Sequence, residues 1–133
     1  MRAAVHGIVH YFRPFQDASG RIIDQYAKIE IQYSTPCYAF AAAALVARRG
    51  EAELLQSAVA AWGIAAFDLA NASCAQGHCN FYVLPLMFAY RLLAPLVNES
   101  TVASWNATLA RIDPYVSYHG YMARLLRATG PHV

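Results

Sequence analysis

The stretch Ser73-Cys74-Ala75-Gln76-Gly77-His78-Cys79-Asn80-Phe81-Tyr82 separates two long apolar segments and is the one dense run of reactive side chains in the sequence. Before it, residues 51–72 place apolar side chains at helical spacing on one face, with charged and amide side chains on the other. After it, residues 81–97 are apolar on every face. The pattern predicts a half-exposed helix, a polar elbow at residues 73–82, and then a fully buried helix. That helix can begin nearer Leu84, because Pro85 fits only in a first turn.

A second apolar helix is predicted at residues 36–49. Ser34-Thr35-Pro36 precedes it, and a hydroxyl at the cap position accepts an early backbone N–H, while proline at the first helical position has no N–H to lose. Gly50 is suited to the left-handed cap that ends such a helix. Residues 1–35 are predicted to be irregular, with residues 28–33 as a short strand or an extended approach.

The C-terminal part of the chain predicts two further helices, an amphipathic one at residues 101–112 and a last one at residues 118–128. Asn98-Glu99-Ser100 is predicted to end the preceding helix and to cap the first of these two helices. The helices therefore alternate between buried and amphipathic along the sequence. Trp62 and Trp105 occupy successive amphipathic helices in this order.

This alternation is typical of a helical-hairpin repeat, in which inner helices are covered on both sides and outer helices expose one face. A four-helix bundle would instead give every helix the same half-apolar pattern. The predicted fold is all-α, a two-layer helical-hairpin arc. Five helices cannot close such an arc, so residues 1–133 are interpreted as a single helical domain that is a fragment of something longer. We expect it to expose an apolar flank and to self-associate.

Composition excludes several classes of function. The chain of 133 residues is 58% hydrophobic and 14% charged, which indicates one domain that buries most of its helix faces. A net charge of +2 with scattered basic residues gives no basis for a nucleic-acid partner. Residues 81–97 are shorter than the roughly 20 apolar residues of a membrane span and contain two prolines and an arginine, so a membrane protein is not predicted.

The cysteines and the glycosylation sequons indicate different compartments. Cys74 and Cys79 are close enough to bridge across the elbow, but three reduced, buried thiols are the expectation for an intracellular chain. In contrast, N-x-S/T sequons at Asn71, Asn98 and Asn106 favour secretion. The sequence leans towards secretion and leaves the disulfide open.

The motif Gln32-Tyr33-Ser34-Thr35-Pro36-Cys37-Tyr38-Ala39 opens one predicted inner helix, and His78-Cys79-Asn80-Phe81-Tyr82 opens the next. These two motifs resemble the N-terminal part of α/α-toroid proteins that process polysaccharides, namely uronate lyases, heparinase-like lyases and related glycoside hydrolases. The resemblance implies that the arc is a partial α/α toroid and that the chain is a fragment of a larger toroid. In such folds the N-termini of the inner helices face a central cleft, where polar and aromatic residues contact sugar. The resemblance implies a polysaccharide or oligosaccharide partner.

β-Elimination from a uronate requires donors that neutralise the carboxylate, a base that removes the C5 proton, and an acid that protonates the leaving oxygen. The candidate catalytic residues are His78, Asn80, Tyr82 and Tyr33, and the candidate substrate-binding residues are Gln32 and Tyr38. Two of the predicted buried helices begin near these residues, so their positive dipole ends suit an anion. The alternative is that His78 and Asn80 only cap a helix.

Other chemistries have weaker signals. Glycoside hydrolysis needs two facing carboxylates, and Asp24, Glu30, Asp68 and Asp113 are not paired in the sequence in a suggestive way. Cys74-x3-His78-Cys79 offers three ligands where structural zinc needs four, so neither a metal nor a cofactor is predicted. The second functional hypothesis is a non-catalytic helical scaffold for protein binding or self-association.

Overall fold

A computed structural model describes residues 2–115 of the chain. Within that range the α-helices are α1 Arg2–Phe12, α2 Ser34–Arg49, α3 Leu55–Ala70, α4 Val83–Leu93 and α5 Glu99–Ala110. Short 3₁₀ turns span Arg13–Phe15, Ala52–Leu54, Ala75–Gly77, Cys79–Phe81 and Ala94–Leu96. An isolated bridge between Gln16 and Ile22 is the only β-structure among the described residues. The predicted all-α class is confirmed. The helix predicted at residues 118–128 lies outside the described residues.

Helix α2 begins without the predicted hydroxyl cap and ends at the predicted glycine. It starts at Ser34, two residues before the predicted position, and the side chain of the cap residue Tyr33 makes no capping hydrogen bond. Thr35 lies inside the helix, and its hydroxyl accepts the backbone N–H of Ile22 at 3.0 Å. Pro36 is tolerated at the third helical position, since the first four N–H groups of a helix have no partner within it. At the other end Gly50 has the predicted left-handed conformation, with φ 69° and ψ 25°.

Helices α2 and α4 pack side by side and run parallel. Near their starts, the rings of Tyr33 and Phe81 lie 5.2 Å apart. Further along both helices, the rings of Phe40 and Phe88 are stacked, with centroids 5.3 Å apart. Since both pairs join equivalent positions along the two helices, the helices point in the same direction. This is the orientation predicted for successive inner helices.

A tryptophan pair joins α3 and α5. The rings of Trp62 and Trp105 lie 4.3 Å apart, and both side chains are buried. The indole N–H of Trp62 also donates to the carbonyl of Leu86 in α4 at 2.9 Å. Helix α4 thus packs against α2 and α3, and α5 packs against α3.

The predicted order of burial is wrong for α4. We expected the helices near residues 36–49 and 83–97 to be more buried than those near 51–72 and 101–112. In the structure eight of the 16 residues of α2 and seven of the 16 in α3 are buried, but only three of the 11 in α4. Within residues 2–115, α4 is covered on one side by α2 and α3. Its other side exposes Val83, Leu84, Met87 and Phe88.

The N-terminal segment is not irregular throughout, which corrects the prediction for residues 1–35. Residues 2–12 form α1, and Val9 from this helix is buried in the core. Helical spacing places Val5 on the same face, and it packs against that core. Residues 28–33 form neither a helix nor a strand but two turns, in which Lys28 and Gln32 have positive φ angles.

The cysteines of the elbow are oxidised. Cys74 and Cys79 form a disulfide with a Cα–Cα distance of 5.1 Å. The disulfide that the sequence left open is therefore present, the alternative of three reduced, buried thiols is wrong, and the two elbow sulfurs are not free to ligate a metal together with His78. Cys37 is the remaining thiol, and it is exposed on α2 rather than buried.

Candidate functional site

The segment that precedes α2 meets the elbow that precedes α4. The ring centroid of Tyr33 lies 6.4 Å from that of His78 and 5.2 Å from that of Phe81. The backbone N–H of Gln32 donates to the side-chain oxygen of Gln76 at 3.2 Å. The predicted approach of Tyr33 to His78 is confirmed, although more than 40 residues separate them in sequence. These aromatic rings form one end of the candidate site.

A groove with a volume of about 440 Å³ continues from these rings along α2 and α4. Its walls include the side chains of Tyr33, Phe40, Asn80, Phe81, Leu84 and Phe88. No charged side chain of the described residues lines it. The side-chain oxygen of Asn80 is buried and accepts no hydrogen bond from residues 2–115. The groove therefore offers aromatic faces along its length and an amide where α4 begins.

Tyr82 does not face this groove. The side chain is fully buried, its hydroxyl accepts the N–H of Ala75 at 3.1 Å, and the carboxylate of Glu30 is its acceptor at 3.2 Å. The carbonyl oxygen of Gln32 lies 3.3 Å from the same hydroxyl. Burial raises the pKa of Tyr82 well above its usual range, and the nearby Glu30 carboxylate raises it further. A buried neutral phenol fixes the elbow, so Tyr82 lacks the position that the predicted catalytic role requires.

A polar network beneath the elbow contains groups that the sequence did not pair. Arg21 donates from one guanidinium nitrogen to both carboxylate oxygens of Asp68, at 2.7 and 2.9 Å, and its Nε lies 3.5 Å from Glu30. Both carboxylates are more than nine-tenths buried. Burial raises the pKa of Glu30, against the hydrogen bonds from Thr35 and Tyr82 that lower it. The network ties the loop before α2 to α3 and the elbow, and its acids are closed to a substrate.

Of the two predicted substrate-binding residues, only Gln32 lies beside the elbow. Tyr38 is buried on another face of α2, where its hydroxyl lies 2.6 Å from the hydroxyl of Ser57 in α3. The Ser57 hydroxyl donates in turn to the side-chain oxygen of Gln16 at 2.7 Å. Tyr38 thus fastens α2 to α3 and to the N-terminal loop, and the structure does not bring it to the groove.

One segment of the described residues, Cys79–Leu96, has the length and apolarity of a membrane span, with a mean hydropathy of 1.3. Only 28% of it is buried. Length and composition are weak evidence, since core helices of soluble proteins pass the same test. The low burial reflects the exposed side of α4, which carries Val83, Leu84, Met87 and Phe88.

No protein-family model matches the chain, and comparison with curated proteins and with solved structures finds no match.

Proposed function

We propose that the protein binds an oligosaccharide at the groove between α2 and α4 and belongs to a polysaccharide-processing system. The observation that carries the proposal is the convergence of Tyr33, His78 and Asn80 where two parallel helices begin. Such convergence does not follow from local geometry, because the two segments are distant in sequence. Exposed aromatic rings beside an amide and an imidazole are groups that contact the apolar face and the hydroxyls of a sugar.

For the chemical step we propose β-elimination from a uronate. In this scheme Asn80 donates its side-chain amide hydrogens to the uronate carboxylate, and the positive dipole ends of α2 and α4 add to this stabilisation. His78 removes the C5 proton, and the hydroxyl of Tyr33, a residue that is 37% exposed, protonates the leaving oxygen. Tyr82 is left out of the reaction and instead positions the elbow.

The proposal is tested by titrating the full chain, with its disulfide intact, with a uronate oligosaccharide and separately with a neutral one. We expect Tyr33→Ala to weaken binding about fivefold, because loss of a stacking ring removes about 1 kcal/mol. Tyr26→Ala is the matched control, since Tyr26 is 96% exposed and does not line the groove. No binding of either sugar, or equal effects of the two substitutions, would contradict the proposal.

The catalytic form has a separate readout. Formation of an unsaturated uronate is followed by its ultraviolet absorbance, with wild type compared to His78→Ala and Asn80→Ala. We expect turnover to fall by roughly 10² or more for His78→Ala, the usual contribution of a general base. Binding of uronate without any turnover would retain the sugar site and eliminate the lyase chemistry.

A second candidate function, a helical scaffold that self-associates, is favoured by the exposed apolar face of α4. Val83, Met87 and Phe88 are each 45% exposed and Leu84 is 66% exposed. Soluble monomers rarely expose a continuous apolar surface of this kind. Sedimentation velocity should show concentration-dependent association that Leu84→Glu abolishes, while Ile29→Glu, at an exposed apolar residue outside α4, should not. A monomer across the micromolar range would contradict this function.

We further propose that the protein functions in an oxidising, extracytoplasmic compartment. The disulfide between Cys74 and Cys79 supports this location, because disulfides persist in such compartments and are rare in the cytosol. The sequon residues Asn71, Asn98 and Asn106 are all exposed, so each is open to modification. Mass spectrometry of the protein from its native host, under non-reducing conditions, tests both features.

A further inference from the structure

Two histidines lie one turn apart on α1. His6 and His10 are four positions apart in the sequence and therefore share one face of the helix. Their ring centroids lie 4.2 Å apart. Neither histidine lines the groove, and this face of α1 meets the turn that follows α2. The pair at this spacing is the sequence signal for the cluster, which was missed because its third member is distant in sequence.

The third member is Glu51. One of its carboxylate oxygens lies 3.0 Å from Nδ1 of His6, and the other lies 3.0 Å from Nε2 of His10. One donor atom from each of the three side chains can be chosen so that all lie within 4.8 Å of one another. Two imidazoles and a carboxylate from two separate elements thus converge on one point.

We propose that His6, His10 and Glu51 bind a divalent transition-metal ion, with Zn²⁺ as the best fit. Zinc bonds to histidine nitrogen and carboxylate oxygen measure about 2.0–2.2 Å, so donor atoms around a tetrahedral ion are about 3.3 Å apart. One carboxylate oxygen of Glu51, Oε2, lies 3.1 Å from Nδ1 of His6 and 3.0 Å from Nε2 of His10, and these two distances need to widen by only a few tenths of an ångström. One nitrogen from each ring lies within 4.8 Å of the other, and side-chain rotation can bring the nitrogens to the spacing that the ion requires. The metal would replace the hydrogen bonds between Glu51 and the two histidines, which already hold the three side chains together.

The exposure of the cluster defines the kind of site. The side chain of His6 is 48% exposed and that of His10 is 32% exposed, so solvent reaches the donors. Three protein ligands with an open position describe a site that retains water or an exogenous ligand, unlike a closed four-ligand structural site. Among the described residues, Arg49 is a cation beside the cluster, with its Nε 3.5 Å from a Glu51 carboxylate oxygen; its side chain is 45% exposed and can turn away into solvent.

Metal binding should join α1 to the turn between α2 and α3, because its ligands come from both elements. The test uses the full chain without an affinity tag, freed of metal by a chelator and titrated with Zn²⁺ by calorimetry. We expect one ion per chain and a melting temperature that rises with zinc concentration, since a ligand bound only by the folded state stabilises it. Replacement by Co²⁺ should give the visible absorption of a nitrogen- and oxygen-ligated ion.

Variants distinguish this cluster from adventitious binding. His6→Ala and Glu51→Gln should each weaken zinc binding at least tenfold and abolish the rise in melting temperature. Glu53→Gln is the matched control, because Glu53 is an exposed carboxylate two residues away that does not belong to the cluster. Circular dichroism checks that each variant is folded. Zinc affinity that is unchanged in both cluster variants, or reduced equally in Glu53→Gln, would overturn the proposal.

Discussion

Helices α2 and α4 are both apolar, run parallel and carry proline at the third position, yet they are buried very differently. Helix α2 has α1, α3 and α4 around it, and half of its residues are buried. Helix α4 has large apolar side chains on both sides but buries only three of its 11 residues. The comparison shows that the hydrophobicity of a helix indicates that it can be covered. It does not indicate how much of the helix the other helices of residues 2–115 actually cover.

The largest effect is expected on the covered side of α4. Trp62→Ala removes a fully buried ring that stacks on Trp105 and donates to the carbonyl of Leu86. We expect a loss of about 3–5 kcal/mol in the free energy of unfolding, the usual range for a buried tryptophan. Trp62→Phe is the control, since it retains a ring and loses the hydrogen bond, at about 1 kcal/mol plus some packing. Urea unfolding measures both, and a loss below 1 kcal/mol for Trp62→Ala would show that α3 does not hold α4.

Local sequence signals predicted most of the helices correctly. Gly50 ends α2 as expected, Asn98 caps α5 by accepting the N–H of Thr101, and Pro85 lies in the first turn of α4. These features depend on a few neighbouring residues, so the sequence contains the whole physical cause. The N-terminal helix was missed because His6 and His10 made its apolar face look interrupted, although both histidines point towards Glu51.

The candidate site was only partly predictable, because its parts are distant in sequence. Tyr33 and Tyr82 are both tyrosines beside a helix start, and nothing local distinguishes the exposed one from the buried one. The hydroxyl of the buried Tyr82 donates to the carboxylate of Glu30, and that carboxylate in turn lies beside the guanidinium of Arg21. Such a chain of partners is set by tertiary packing. For the same reason the sequence could not show that Asp68, assigned to a polar helix face, is buried.

A second test concerns the loop that covers α3. Gly20 has φ +102°, and a Cβ at this position would lie 2.5 Å from the carbonyl oxygen of Ala60. Gly20→Ala should cost roughly 2–3 kcal/mol, because strain and a clash with backbone combine. Gly50→Ala is the control, since Gly50 also has a positive φ but has no atom near its Cβ position, and about 1 kcal/mol is expected. Equal costs for the two variants would show that the loop moves away from α3 freely.

A smaller effect is expected from the buried acid of the network. The pKa of Glu30 is raised above 4.5, chiefly by burial, so the folded state holds its proton to a higher pH than the unfolded state. Well below pH 4.5 the Glu30 carboxyl is protonated in both the folded and the unfolded state. As the pH rises, the unfolded state releases this proton first, so the folded state loses stability until its own raised pKa is passed. Glu30→Gln resembles the protonated form. Its stability relative to wild type should therefore improve as the pH rises above 4.5.

The control for this pH series is Glu53→Gln, at an exposed carboxylate outside the network. Its stability relative to wild type should stay constant over the same range. Unfolding curves at several pH values give both differences. A relative stability of Glu30→Gln that falls as pH rises would mean that the ion pair with Arg21 outweighs burial.

The smallest effect is expected on the exposed face of α4, and it gives the sharpest comparison within one helix. Leu84 is 66% exposed and Leu86 is 1% exposed, although they are two residues apart and chemically identical. Leu86→Ala should cost about 2–5 kcal/mol through the cavity that it leaves, whereas Leu84→Ala should change the free energy of unfolding of the dilute monomer by about 0.5 kcal/mol or less. Measuring the effect of Leu84→Ala at several protein concentrations shows whether residue 84 lies in an interface. If the exposed face is an interface, the cost of Leu84→Ala should grow as the concentration rises, because association stabilises the folded state by mass action. A cost near that of Leu86→Ala even at high dilution would show that residue 84 is covered within the chain itself.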